Sequence, residues 1–288
     1  MTTQHIETLV VGAGQAGLAT GYHLQRLGCP FLIVDGNQRI GDNWRQHWDT
    51  LALYSPAKYD GLPGLSFPGS PWSFPGKDDV ADFLEKYAIH HDLPVRMSTR
   101  IDRLEPRAEG GYRAVVGEHT ITCDNVVVST GTFGRTPHIP DFAADLDASI
   151  QQLHSCEYKR PSQISYGPVL VVGASHSGCD IAYEVAEHLP TTLVGRDCGQ
   201  IPFHWDRKPI ELGFPSIVFV WQHLLTRRTP LSEVTLPEKG SVAFSARVSG
   251  ARPATLIASG AGRSRSRSVA VNPGLPRPPK SRSTSNFT

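Results

Sequence analysis

At 288 residues, with a net charge of +1 and 39% hydrophobic residues, the chain has material for two domains of the usual roughly 100 to 200 residues. The near-neutral total conceals a split, because all 27 acids and 20 of the 28 bases precede Ser241, leaving −7 on residues 1–240 and +8 on residues 241–288. The five cysteines are odd in number, scattered and never in a CxxC pair, which argues against a disulfide framework and a redox dithiol and fits a reducing, cytoplasmic setting.

The opening MTTQHIETLVVGAG has no basic stretch followed by a cleavable apolar run, and reads as the lead-in to a first strand ending at Val11. That strand runs into Gly12, and Gly12, Gly14 and Gly17 fit GxGxxG. The first glycine permits a tight turn, the second lets a pyrophosphate approach the backbone, and the third lets helix and strand pack closely. Phosphate charge then sits at the N-terminus of the helix carrying Leu18, Tyr22 and Leu24, where unpaired amides and the helix dipole favour an anion. A second strand, FLIV, ends at Asp35, an acid roughly 20 residues past the glycines, as ribose hydroxyls require.

Residues from about 95 to 130 alternate apolar and polar positions with turns at EGG and GEH, the pattern of a short antiparallel meander. The strand–turn–helix–strand plan then repeats in GPVLVVGASHSGCDIAYEVAEHLPTTLVGRD. Val169 to Val172 is the strand, Gly173 and Gly178 are the first and third glycines, and Ser175 replaces the second. The helix is expected from about Ser177 to His188, followed by the strand TTLVG. Arg196, not an acid, follows that strand. It either pairs with a 2′-phosphate, which selects NADP over NAD, or is a solvated strand-end charge. Two dinucleotide folds suggest an electron path from NADPH to a flavin.

The most apolar segment, Phe214 to Leu225, is too short for a bilayer of ~30 Å, so no membrane association is expected. HWDT (His47 to Thr50) and the pair His90 and His91 lack metal-site spacing, so no metal is expected. The RSRSRS run suggests phosphate binding, but it is short, lacks interleaved aromatics and hangs on an acidic body, which argues against nucleic acid as a partner. GASHSG is a phosphate turn rather than a nucleophile elbow, and no catalytic acid-base constellation is legible.

Taken in order, these segments resemble the flavin-containing monooxygenases, in particular the bacterial flavoprotein monooxygenases with cation-efflux or potassium-transport names. GAGQAG matches their FAD motif, and RIGDNWRQHWDTLALYSP their Gly-Gly-x-Trp-Arg stretch with Asp42 for the second Gly. YDGLPGLSFP is similar to their Leu-Pro-Gly loop, VVVSTGTFGRTPHIP to their Ala-Thr-Gly segment with Ser129 for Ala, and GASHSG to their NADP motif. LHSCEYKRP resembles the second half of the family fingerprint; aligned on His154, Ala148 and Ile150 stand where Phe and Gly belong, while Tyr158 falls on the aromatic. The similarity spans roughly residues 6 to 196.

The resemblance implies an α/β protein with two Rossmann-like domains, one for FAD and one for NADP, the FAD domain incomplete at its C-terminus. It implies flavin contacts from Gly12, Gly14, Gln15, Ala16, Gly17, Asp35, Trp44, Arg45, Thr130 and Gly131, and NADP contacts from Gly173, Ser175, His176, Ser177, Gly178 and Arg196. His154 and Tyr158 either position the nicotinamide or pack in an interdomain linker. The implied reaction consumes NADPH and O2 and passes one oxygen atom to a small organic substrate through a flavin hydroperoxide. Two alternatives remain: an NAD(P)H-dependent flavin oxidoreductase without oxygenation, and an inactive truncated remnant. The expected layout is an FAD domain over 1–165, a partial NADP domain over 166–240, and a Ser-, Arg- and Pro-rich tail over 241–288 without stable structure. The abrupt loss of acids near Lys239 suggests a shifted reading frame beyond it.

Overall fold

A computed structural model of the chain describes residues 3–131, 137, 139–165, 167–196, 213–216, 218–220, 255–258 and 267–270. They fall into two compact units, residues 1–136 and 137–288.

The first unit is built on β1 (Thr3–Val11), which pairs in parallel with β2 (Phe31–Val34) and with β6 (His119–Val128). Between β1 and β2 lies α1 (Gln15–Arg26), and between β2 and β6 come the single turn α2 (Asp42–Arg45), α3 (Lys77–His90) and the strands β3 (Val95–Arg96), β4 (Arg103–Pro106) and β5 (Tyr112–Val116). The sheet order is β3-β2-β1-β6-β5-β4. Central β1 carries Leu9 and Val10 with no exposed surface, as a strand covered on both faces must. The expected meander is present as β4, β5 and β6, which pair antiparallel. Its N-terminal part differs: residues 95–96 join the opposite edge, parallel to β2.

α3 shows why the sequence folds locally as it does. Its buried residues Val80, Phe83, Leu84, Tyr87 and Ala88 recur at helical spacing and pack against Leu18 of α1 and Ile33 of β2 in one core. Asp79 caps the helix by accepting from the Gly76 amide at 3.0 Å, and Asp78 and Asp79 place negative charge at the positive end of the dipole. The Tyr87 hydroxyl donates to Pro63 O at 2.6 Å, tying the Leu-Pro-Gly loop to the helix, and burial pushes its pKa up to about 12.

The second unit holds β7 (Gln151–His154), β8 (Val169–Val172), α4 (His176–Ala186), β9 (Thr191–Gly195), β10 (Thr255–Ala258) and β11 (Arg267–Ala270), in the order β11-β9-β8-β10-β7. Two expectations change here. The boundary read at 165 falls instead after residue 136, because β7 hydrogen-bonds into the second sheet through β10. Of the tail expected to lack structure, residues 255–258 and 267–270 are strands: β10 lies parallel between β7 and β8, and β11 pairs antiparallel with β9. Thr-Leu-Ile-Ala is a short apolar, β-branched run of the type an interior parallel strand needs, and the surrounding basic composition hides it. Residues 241–254, 259–266 and 271–288 lie outside the described residues, as does Cys198. So does half of the apolar 214–225 segment, of which 214–216 and 218–220 are helical. Among the described residues no helix is long and apolar enough to cross a membrane.

Candidate functional site: two matching dinucleotide turns

The loop from β1 to α1 is held by a short set of backbone constraints. Gly12 has φ +110° and donates its amide to Val34 O at 2.7 Å; a Cβ there would lie 2.3 Å from Ser129 O. Gly17 is closed to any side chain, since its Cβ would meet Gly12 O at 1.8 Å. Gly14 is different. Its φ is −82°, a value open to any residue, and a Cβ on it would touch nothing within 4 Å. Neither backbone strain nor protein packing requires glycine there, and what remains is free space in front of the first turn of α1. The amides of Gln15 and Ala16 begin that turn, which has no side-chain cap and no acid. This uncapped, open cradle fits a pyrophosphate.

Asp35 reaches the same turn from the end of β2. Its Oδ2 accepts from the Ala13 amide at 2.8 Å, and its Oδ1 accepts from the amide and the side chain of Asn37, each at 2.8 Å. An ionised carboxylate has about four acceptor positions, so it can also take a ribose hydroxyl. From the other side, Ser129 N donates to Val11 O at 2.8 Å, bringing Thr130 and Gly131 past the glycine turn, Gly131 with φ +79°.

Trp44 and Arg45 are less alike than their adjacency suggests. Trp44 packs on the α1–α3 core and lines a cavity. The Arg45 guanidinium is committed to Asp82 at 2.8 Å, Asp42 at 3.2 Å and Glu85 at 3.5 Å, and donates to Ile40 O at 2.8 Å. It clamps α2 to α3, and the ion pair with Asp42 gives that departure from the Gly-Gly pattern a structural role.

The second unit repeats two backbone bonds of the first turn. Gly173 has φ +111° and donates to Val194 O at 2.7 Å, as Gly12 does to Val34 O. Cys179 N reaches Ser175 O at 2.9 Å, as Leu18 N reaches Gly14 O at 2.9 Å. Ser175 caps α4 with no side-chain cap bond, His176 and Ser177 open the first turn, and Gly178 is buried on the sheet. Arg196 is exposed at the end of β9, the position that Asp35 takes after β2. Helix α4 runs from His176 to Ala186, starting one residue and ending two residues before the expected bounds of about Ser177 and His188.

Tyr158 falls on the packing side of its two readings. It is fully buried, and its hydroxyl donates to Glu184 Oε2 on α4 at 2.9 Å. His154 ends β7, with Nδ1 3.0 Å from Cys156 Sγ; burial pushes that thiol up, away from the thiolate.

The model of the pyridine nucleotide-disulphide oxidoreductase family matches residues 9–200. The chain belongs to that family. It is 42% identical over 223 residues to an uncharacterized CzcO-like oxidoreductase of Geobacillus kaustophilus, covering 77% of this chain and 64% of that protein. It is 29% identical over 189 residues to the indole-3-pyruvate monooxygenase YUCCA1 of Oryza sativa subsp. japonica, covering 62% of this chain and 45% of that one. A solved flavin-containing monooxygenase from Stenotrophomonas maltophilia matches with TM-score 0.67 and 25% identity over 91% of this chain and 79% of that chain. The flavin-containing monooxygenase resemblance and the paired Rossmann-like α/β architecture read from the sequence are borne out. The chain spans between 45% and 64% of the length of these two curated relatives.

Sequence reading missed the cavity beside Gln15 and Trp44. Ser55 and Asp60 line it from irregular chain and Tyr59 from a single 3-10 turn over Ala57–Tyr59, where no periodicity marks them.

Proposed function

We propose that the chain binds FAD in its first unit and NADP in its second, and serves an NADPH-consuming monooxygenase that inserts one oxygen atom from O2 into a small organic substrate. The observation that carries this reading is the pair of matching glycine turns, one followed by Asp35 and the other by Arg196. In this reading the Gln15 and Ala16 amides hold the flavin pyrophosphate over Gly14, and Asp35 takes ribose hydroxyls. Thr130 and Gly131 border the same turn, while Trp44 packs at the flavin side and Arg45 fixes the α2 turn that carries it. Gly173, Ser175, His176, Ser177 and Gly178 form the NADP turn, with Arg196 on the 2′-phosphate. When bound, FAD supplies the hydride acceptance and oxygen activation that no side chain can. The protein's part is to orient the two nucleotides and keep water from the reacting atoms.

The test is reconstitution of the full chain with FAD, followed by its visible spectrum, NADPH and NADH oxidation, O2 uptake and product analysis. A yellow chain that oxidises NADPH and yields an oxygenated product supports the reading. Steady NADPH oxidation with no oxygenated product from any substrate selects the non-oxygenating reductase. Failure to retain flavin selects the inactive remnant.

A further inference from the structure

Just past the end of α3, one imidazole packs on the two tyrosines that hold the Leu-Pro-Gly loop. His91 Nε2 is sealed from solvent and has no hydrogen-bond partner among the described residues. Tyr22 of α1 and Tyr87 of α3 meet the His91 ring edge-on, at 4.8 Å and 4.7 Å between centroids. The same two tyrosines reach the loop. Tyr87 donates its hydroxyl to Pro63 O at 2.6 Å, and Gly64, with φ +85°, stands so close to Tyr22 that a Cβ on it would meet the ring at 2.7 Å. Leu62 and Leu65 close the loop on itself, each amide donating to the other's carbonyl at 3.0 Å. Gly61 and Leu62 form part of the wall of the cavity beside Gln15 and Trp44.

A proton on His91 does not fit this arrangement. In neutral imidazole one ring nitrogen carries no hydrogen, whereas in imidazolium both are N–H donors and both need acceptors. A charged donor buried without an acceptor is costly. On α1, Tyr22 faces His91, with His23 and Arg26 packed on Tyr22. On α3, Tyr87 and His90 face it, His90 at 4.6 Å between centroids. None of these groups is negatively charged at neutral pH, and the acid next in the chain, Asp92, is exposed. Burial, then His90, accordingly favours the neutral ring. Protonation therefore requires the ring to move out to water, and once it does, Tyr22 and Tyr87 lose the group they pack on.

We infer that His91 is a proton-sensitive latch: neutral, it braces Tyr22 and Tyr87 against the Leu-Pro-Gly loop and keeps that wall of the cavity in place, and on protonation it swings out and lets the loop open. The inference goes beyond the proposed function and does not depend on a bound nucleotide. The closed loop takes only the neutral ring, so it is at full stability above the ordinary imidazole pKa of about 6.5, and opening grows as pH falls below that value. With the closed form wholly unprotonated, the open-to-closed ratio rises about tenfold between pH 7.5 and 5.5, which is the upper limit.

The experiment follows hydrogen exchange at the Leu62 and Leu65 amides of the full chain by NMR at pH 7.5 and 5.5, corrected for the intrinsic pH dependence of exchange and repeated at several low urea concentrations. Low urea separates a local opening, which exposes little surface and hardly responds, from global unfolding. In wild type, opening at both amides should rise about three- to tenfold at pH 5.5 and stay nearly independent of urea, while Leu9 and Val10 of β1 exchange with the urea dependence of global unfolding. His91→Phe keeps a ring against the tyrosines and has no proton to take up, so the rise should disappear. His91→Gln is also uncharged at both pH values, and it decides if His91→Phe does not fold. A wild-type rise below about threefold overturns the inference, as does an equal rise in the variants or a loop that opens only with the urea dependence of β1.

Discussion

Gly12 and Gly14 stand two residues apart in one motif for different physical reasons, and they predict opposite behaviour. Gly12→Ala places a Cβ 2.3 Å from Ser129 O at φ +110°, and should cost about 2–4 kcal/mol in urea unfolding. Gly14→Asp puts a favoured N-cap residue into open space, so stability should stay within about 0.5 kcal/mol of wild type. The same carboxylate would face the pyrophosphate, and FAD affinity should fall at least about tenfold in a fluorescence titration. At the second turn, Arg196→Gln should raise KM for NADPH about ten- to a hundredfold and leave NADH unchanged, since only the 2′-phosphate loses its partner. Unchanged NADPH kinetics would make Arg196 a solvated charge. All three glycines and Asp35 are legible in the sequence because their spacing is the chemistry. Asp60 is not, because an acid in irregular chain looks like any other until its surroundings are known.

Between elements, α3 is the member on which the first unit's helices converge. Arg39 hydrogen-bonds Glu85 at 2.7 Å and 2.5 Å, which lowers the Glu85 pKa, and Arg45 adds a second cation to the same carboxylate. Past the end of α3, the His91 ring lies 4.8 Å from Tyr22 and 4.7 Å from Tyr87 between centroids, and Gln25 donates to His91 O at 2.9 Å, tying α1 to α3. Burial, then the neighbouring His90, lowers the His91 pKa from the ordinary value of 6.5. Folding therefore prefers neutral imidazole, and below about pH 6.5 the unfolded chain takes up a proton that the folded chain resists. Stability should be fully present above that pH and decline as pH falls through the range below it. The urea midpoint of wild type should drop between pH 7.5 and 5.5, while His91→Phe should show a smaller drop. Equal slopes for the two proteins would remove His91 from the account. The apolar spacing of α3 announces the helix, but which aromatic rings enclose His91 depends on how α1 and α3 meet.

At the scale of the molecule, the basic tail changes meaning. Its composition reads as a segment that cannot bury a core, yet β10 supplies the backbone that joins β8 to β7, and β11 covers the edge of β9. Deleting residues 241–288 should therefore strip the second unit's central strand of one of its two neighbours. Hydrogen exchange should show lost protection at the β8 amides, with β1 and β2 in the first unit unchanged. Equal β8 protection in the deleted chain would show that the tail contributes nothing to the sheet.

The sequence by itself determined both nucleotide turns, their order, the acid that follows one and the arginine that follows the other, because short-range spacing carries those features and each needs only its own strand and helix. The tertiary structure alone decided that β7 belongs to the second sheet, that a four-residue run in the tail lies between β7 and β8, that Tyr158 is core, and that Asp60 lines a largely apolar cavity. Those facts depend on contacts between residues far apart in the chain, where neither periodicity nor motif spacing reaches.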